Sequence, residues 1–176
     1  MRFTMHKLYW AWNFEEEEKW LNEMSAKGLN LVGVGFGKFV FEEGTPGEYH
    51  FHIEWLKHFP SHPETVSYIH FLEETGVEHV GSFKMWAYFR KKTSDGVFDL
   101  FSDIDSRIIH YKRIRNLLLC LFPLEILAFW INATSSSIAN FGCSSFLGIL
   151  IILITIGMIK IMVKIKHLKK ERILHE

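Results

Sequence analysis

The chain has 176 residues, 48% of them hydrophobic, and no net charge with histidine neutral. That length suits one domain with an appendage, and so high an apolar share directs attention to membrane segments. Its two cysteines, Cys120 and Cys143, both lie in apolar sequence with no His or second Cys nearby, which speaks against a disulfide framework or a zinc site.

The charge is unevenly placed. Residues 1–106 carry ten Lys/Arg against seventeen Asp/Glu, a net of −7, whereas residues 107–176 carry ten against three, a net of +7. An acidic soluble part is the wrong sign for phosphate contact, so nucleic acid is not an expected partner. The opening "MRFTMHKLYW" lacks an apolar h-region, so nothing there is expected to export the first hundred residues.

Taken in chain order, "HKLYWAW" reads as a strand, and Asn13 then caps a helix over about 14–27 that Gly28 ends. Glu15 to Glu18 fall in its first turn, where they complement the helix dipole; they read as a solvated helix start, not as an acid/base pair. In "LVGVGFGKFVF", glycines occupy positions 33, 35 and 37. A dinucleotide fingerprint would need glycine at position 38 and a following helix, but Lys38 and strand formers stand there. The segment is therefore a hairpin with strands over about 29–35 and 38–43, its glycines on one face and Val32, Val34 and Phe36 on the other. Such a bare stripe would allow a helix, another backbone or a ligand to come close.

"GTPG" at 44–47 is a turn and "EYHFHIEW" alternates as a strand; a second helix over about 63–75 has Pro63 in its first turn and Gly76 at its end. Strands over about 77–83 and 85–91 follow. An offset of 48 residues superposes Gly28 on Gly76, Val32 on Val80, Gly33 on Gly81 and Phe41 on Phe89. Residues 1–102 are thus expected to form an α+β domain built as a duplicated strand-helix-strand-strand unit, a ferredoxin-like antiparallel sheet with two helices on one face. The other face needs cover from a partner, from "DGVFDLFSDIDS" or from a membrane surface, and its aromatic supply is large (Trp10, Trp12, Phe39, Tyr49, Phe51, Trp55, Trp86, Tyr88). Duplicated modules of this kind also occur in cytoplasmic drug-binding proteins, with flat hydrophobic molecules held between the halves; that is analogy at the level of fold.

Residues 103–115 read as a basic juxtamembrane helix capped by Asp103 or Asp105, stiff enough to act as a lever if it runs on into the membrane. Its charges also suit anionic lipid. A first transmembrane segment over 116–139 and a second over 140–163 follow, then a basic tail, 164–176. "FGCSSFLGILIILITIGMI" is free of charge over nineteen residues, close to the ~20 that a crossing helix needs. The first segment holds Pro123 and Glu125 and completes a span by continuing into "NATSSS"; the lesser alternative is a re-entrant or interfacial helix. Positive charges flank the pair on both outer sides, which places both termini in the cytoplasm and the chain, multi-pass, in the inner membrane. Glu125 is the membrane-embedded polar residue. Inside the hydrocarbon an unpaired charge costs on the order of 2.5–3.5 kcal/mol, so a partner is expected: Ser144 or Ser145, a second copy, or a proton or ion.

For metal chemistry, His50, His52 and Glu54 share one strand face, with His58 and His62 in the next loop, but no paired cysteine or HxxxH helix completes a site. No G-x-S-x-G elbow is present. The expectation is a protein that is not an enzyme and has no cofactor or resident metal.

Three blocks, "WLNEMSAKGLNLVGVGFGKFVFEEGTPGEYHFHIEWL", "FLEETGVEHVGSFKMWAYFRKK" and "FDLFSDIDSRIIHYKRI", resemble the bacterial domain-of-unknown-function family 2812. The resemblance implies a Firmicute membrane protein with a cytoplasmic domain, often encoded beside PadR-type regulators, with no assigned reaction and no catalytic residues to carry over. The expected function is a membrane-anchored cytoplasmic binding module, regulatory or sensory, that recognises a partner protein or small amphipathic ligand at the inner membrane face. Its expected contact surface is Gly33, Gly35, Gly37, Tyr49, Phe51, Trp55, Trp86 and Tyr88. Expected partners are membrane lipid, a protein partner or second copy, and a small hydrophobic ligand. The alternatives are a transport or immunity accessory acting through Glu125 and, last, a metal enzyme using His50 and His52.

Overall fold

The computed structural model describes residues 1–98, 100, 104–134 and 138–175, which divide into two compact units, Met1–Ser102 and Asp103–Glu176. Unit 1 opens with strand β1 (Arg2–His6), helix α1 (Phe14–Ala26) and strands β2 (Leu29–Gly35) and β3 (Lys38–Glu43); the order then repeats as β4 (Tyr49–Trp55), α2 (Pro63–Glu74), β5 (Val77–Phe83) and β6 (Trp86–Lys92). Each half is an antiparallel three-stranded sheet, β1-β3-β2 and β4-β6-β5. The helix in each half returns the chain to a strand parallel to the first, and the third strand inserts between them.

The 48-residue repeat is kept to the level of single residues. The β2–β3 register shifts between Leu31 and Gly33, and the β5–β6 register between His79 and Gly81. Gly28 and Gly76, which end the two helices, have φ of 80° and 83°, a region glycine enters without a Cβ penalty. The α+β class and the duplicated strand order hold, with the six strands divided between two sheets. One element differs from the reading by pattern: β1 is Arg2–His6, and "KLYWAW" runs through a loop into a single 3-10 turn, Ala11–Asn13. Aromatic residues there serve tertiary contacts and not a strand; Trp10 stacks on Trp12 at 5.2 Å, and Tyr9 meets Trp20 at 6.0 Å.

Alternation along the second sheet gives it two buried faces. Phe51, Ile53 and Tyr88 join Leu31, Phe39 and Phe41 of the first sheet and Leu21 and Met24 of α1 in one core. Ala87, Phe89 and Val77 point the other way, against Leu56, Leu72 of α2 and Phe98. Cover for that second face comes from α2 together with the described part of the following segment, since His50 and His52 both set their rings edge-on to Phe98.

The free edge of β4 is covered by side chains of α1. The Ile53 N–H donates to Glu18 Oε2 (2.9 Å), the Phe51 N–H to Asn22 Oδ1 (2.8 Å), Asn22 Nδ2 to the Phe51 carbonyl (3.0 Å), and the Ser25 hydroxyl to the Tyr49 carbonyl. Residues 18, 22 and 25 line one helix face. Two strand residues advance about 6.6 Å and four helix residues about 6 Å, so the ladder keeps step.

In unit 2, α3 (Ile104–Ala133) and α4 (Ile138–His175) form an antiparallel hairpin, with Arg172 paired to Asp105 at 2.8 Å and Phe129 against Gly148. The basic segment and the first apolar segment are therefore one helix, continuous through Pro123; Asp103 lies outside the described residues. Ile108, Tyr111, Ile114 and Leu118 on α3, and Ile161, Ile165 and Leu168 on α4, form a buried seam at three- and four-residue spacing. Beyond it the apolar side chains face outward, among them Leu124, Leu127, Trp130, Phe146, Ile149 and Ile152. Both helices are long and apolar enough to cross a membrane, and only 11% and 17% of their most apolar stretches are buried, unlike the core helix of a water-soluble fold.

Glu125 Oε2 is shielded within this hairpin and has no hydrogen-bond partner among the described residues. The two expected serines do not serve it: the Ser144 and Ser145 hydroxyls both donate to the Phe141 carbonyl of their own helix, at 3.0 and 2.9 Å. The register explains why. With Phe129 level with Gly148, Glu125 lies level with Ile152, and Ser144 is eight residues, about 12 Å, further along the axis.

Candidate functional site

A pocket of about 110 Å³ lies in unit 1 where the two hairpin tips meet the segment between β1 and α1. Phe36 of the first tip and Phe83 of the second are 5.8 Å apart and bring the tips together. Tyr9 and Trp10, Phe39, Trp86 and Tyr88 supply further aromatic wall, and Lys7, Leu8, Glu17, Gly35 and Gly37 complete the lining. The rim is apolar and open, with Leu8 74%, Trp10 48% and Phe36 76% exposed.

Glu17 is the one carboxylate in that lining, and it is only 8% exposed. Helical spacing puts it there: Phe14, Glu17, Leu21 and Met24 recur every three or four residues, all buried on one side of α1. The Tyr88 hydroxyl donates to Glu17 Oε1 at 2.6 Å. Burial pushes the Glu17 carboxyl up to about 7, against the opposing pull of the Tyr88 hydrogen bond. Tyr88 is itself raised well above its ordinary value by burial and by the neighbouring Glu17. Burial also raises Tyr9, while Lys7 beside it acts in the opposite direction. The Lys7 ammonium lies over two aromatic rings, 4.8 Å from the Tyr9 centroid and 4.6 Å from that of Trp20.

Of the residues expected at a contact surface, Gly35, Gly37, Trp86 and Tyr88 line this pocket. Trp55 stands behind Trp86, ring to ring at 5.0 Å. Phe51 is a core residue, 1% exposed, and Tyr49 lies beneath the Arg90 guanidinium at 4.2 Å. Gly33 is outside the pocket lining; a Cβ at Gly33 or Gly35 would meet the cross-strand neighbours Val40 or Lys38, at 3.7 Å, so no helix or second backbone among the described residues approaches there. The close approach is at Gly37, whose Cβ would come 2.6 Å from Leu8 Cδ2. Pattern reading missed Glu17 and took Glu15 to Glu18 as solvated together. In the structure Glu15 and Glu16 are exposed, Glu17 is buried and Glu18 turns to the β4 edge. The signal was present in the spacing from Phe14 to Leu21.

The histidines divide in two. His52 Nδ1 lies 2.8 Å from Glu18 Oε2 and Glu54 accepts from the Tyr68 hydroxyl at 2.8 Å, and among the described residues His50, His52 and Glu54 do not form a group with ligand atoms close enough to share a metal ion. Burial lowers His50 below its ordinary value, aided by His52. Among the described residues, the group with ligand atoms close enough to share a metal ion is His58, His62 and Glu64, within 4.8 Å of one another. Lys57 Nζ is also paired to that Glu64 at 3.2 Å, which brings a competing cation to the same carboxylate.

No curated protein and no solved structure matches this chain. The family model described as "Protein of unknown function (DUF2812)" matches residues 13–123, from the start of α1 to Pro123 within α3, more than half of the chain. The chain therefore belongs to that family, whose match takes in both helices of unit 1, five of its six strands and the first part of the apolar hairpin.

Proposed function

We propose that the protein is a membrane-anchored binding module, not an enzyme: unit 1 captures a small amphipathic ligand in the hairpin-tip pocket, and the α3–α4 hairpin holds it at the cytoplasmic face of the inner membrane. The observation that carries this reading is the joining of an apolar, exposed rim to a buried carboxylate, Glu17, inside one pocket. A buried acid that costs stability is a common mark of a site kept for function. Positive charge on both outer flanks of the apolar hairpin supports a multi-pass arrangement with both termini in the cytoplasm. The continuity of α3 from Ile104 to Ala133 supports a regulatory or sensory role, because a helix without a break transmits movement along its length.

Three small molecules with one compact frame and different charge, 3,3-dimethylbutan-1-ol, choline and 3,3-dimethylbutanoate, test the reading by calorimetry on the full chain in lipid nanodiscs. Binding of at least one of them, lost on Trp86→Ala, is expected. Absence of Trp86-dependent heat with all three refutes the pocket as a ligand site and leaves a protein partner as the object of recognition. A second reading, in which the hairpin itself acts in transport or immunity, is favoured by the shielded Oε2 of Glu125.

A further inference from the structure

We propose that the hairpin-tip pocket is specific for a small organic cation, an alkylammonium head that sits against the Glu17 carboxylate between aromatic faces while its apolar part lies across the rim. The inference rests on the pocket being a ligand site and names the ligand's charge and size.

Three observations converge on it. The one carboxylate in the pocket lining, Glu17, accepts from the Tyr88 hydroxyl at Oε1, so its second oxygen is not used by that bond. Tyr9, Trp10, Trp86 and Tyr88 supply the walls, and aromatic quadrupoles favour a cation over the ring and disfavour an anion there. The chain's own ammonium shows the preference: Lys7 Nζ rests over Tyr9 and Trp20 at 4.8 and 4.6 Å.

Size narrows the choice. A cavity of about 110 Å³ is smaller than the roughly 150 Å³ engineered cavity that holds benzene, so it takes a head of about trimethylammonium size and not a whole polycyclic molecule. The exposed Leu8, Trp10 and Phe36 at the rim are available to the remainder of the ligand. A second hollow, of about 430 Å³, lined by Glu73, Glu78, Asp95, His79 and Lys92, is acidic but has no aromatic wall and carries no such inference.

Cation binding is linked to protons through Glu17. Its carboxyl holds a proton up to about pH 7, and a cation requires the ionised form. The groups that share its surroundings are Tyr88 from β6, Lys7 and Tyr9 from the segment after β1, and Glu16 from α1; Tyr9 and Tyr88 are raised further from neutrality. Affinity for the cation is therefore expected to be about tenfold weaker at pH 6 than at pH 8.

The test compares choline with its uncharged isostere 3,3-dimethylbutan-1-ol, on the full chain in nanodiscs, by calorimetry. Choline is expected to bind at least tenfold more tightly; Glu17→Gln, which can still accept from Tyr88, is expected to reduce that ratio to about one and to abolish the pH dependence. Lys7→Met, at the rim, is expected to tighten choline binding by removing a competing ammonium. Discs of phosphatidylglycerol alone and discs containing phosphatidylcholine identify the source of the head. Equal choline affinity in both supports a soluble cation, and weaker affinity with phosphatidylcholine supports a lipid headgroup. Equal or tighter binding of the isostere, a preference that survives Glu17→Gln, or weaker choline binding by Lys7→Met overturns the assignment. If the neutral compound binds through Trp86 while choline does not, the ligand site stands and only its charge class falls.

Discussion

The side-chain amide of Asn22 pairs with the backbone of Phe51 through two hydrogen bonds, Nδ2 to the carbonyl at 3.0 Å and the amide N–H to Oδ1 at 2.8 Å, as a neighbouring strand would. An exposed strand edge is a template for aggregation, and here a helix from the first repeat closes the edge of the second. The two halves of unit 1 are thereby joined by directional bonds as well as by their shared core. Asn22→Leu keeps the bulk but leaves the Phe51 N–H and carbonyl without a partner. The expected loss is about 2–3 kcal/mol, read from chemical unfolding followed by tryptophan fluorescence, with faster hydrogen exchange at the Phe51 amide. A variant as stable as the parent removes the edge-capping role of Asn22.

Much of this fold was legible in the sequence because the repeat left two copies of each signal. Gly28 and Gly76 ended both helices, three of the six strands began and ended where alternation and turn residues placed them, and two more did so within one residue. The segment from Lys7 to Trp12 was misread because aromatic and apolar residues that line a loop-built pocket have the composition of a strand. The division into two sheets had no local signal, since it depends on which strand edges α1 occupies. In the site, Trp86, Tyr88, Gly35 and Gly37 were visible as aromatic and glycine features, while Glu17 was concealed by Glu15, Glu16 and Glu18 around it. Four adjacent glutamates point in four directions on a helix, and only one of them falls on the stripe of Phe14 and Leu21.

Glu17 links the site to stability. The folded chain holds its proton up to about pH 7, whereas an unfolded glutamate releases it near 4.5. Between those values the folded state binds more protons, so stability falls as pH rises and the loss is complete above 7. The shift corresponds to about 3 kcal/mol. Glu17→Gln, which has no charge to bury, is expected to unfold at higher denaturant than the parent at pH 8 and at a similar concentration at pH 4.5. Equal midpoints at pH 8 would show that Glu17 is not held in an unfavourable environment.

The two hairpin tips give a mirrored pair of substitutions. Gly37 has φ of 55° and Lys84 has φ of 54°, so the first tip uses the residue that suits its conformation and the second does not. Gly37→Ala introduces strain, and a Cβ against Leu8 Cδ2 that the exposed leucine tip can yield to; a loss of about 1 kcal/mol is expected. Lys84→Gly is expected to gain up to about 1 kcal/mol. Gly33→Ala, with only a 3.7 Å contact to Val40, is expected to be neutral within about 0.5 kcal/mol. Thermal unfolding of the three variants side by side checks the order.

The apolar hairpin allows topology and the role of Glu125 to be tested in one set of variants. With Cys120 and Cys143 replaced by serine, a single reporter cysteine is placed at Ser94, exposed in unit 1, or at Thr134, exposed at the end of α3. If the positive flanks set the orientation, a membrane-impermeant thiol reagent added to intact cells labels the Thr134 reporter and spares the Ser94 reporter until the cells are opened. Labelling of Ser94 in intact cells refutes the cytoplasmic placement of unit 1. In the same background Glu125→Leu removes a polar group worth on the order of 2.5–3.5 kcal/mol against insertion, so the yield of inserted chain is expected to rise. If the pocket alone carries the function, ligand binding by unit 1 is unchanged in that variant. A lost cellular phenotype with intact pocket binding would move the working part of the protein from the hairpin tips to the membrane pair, because only a group engaged in its own chemistry is missed once its cost has been removed.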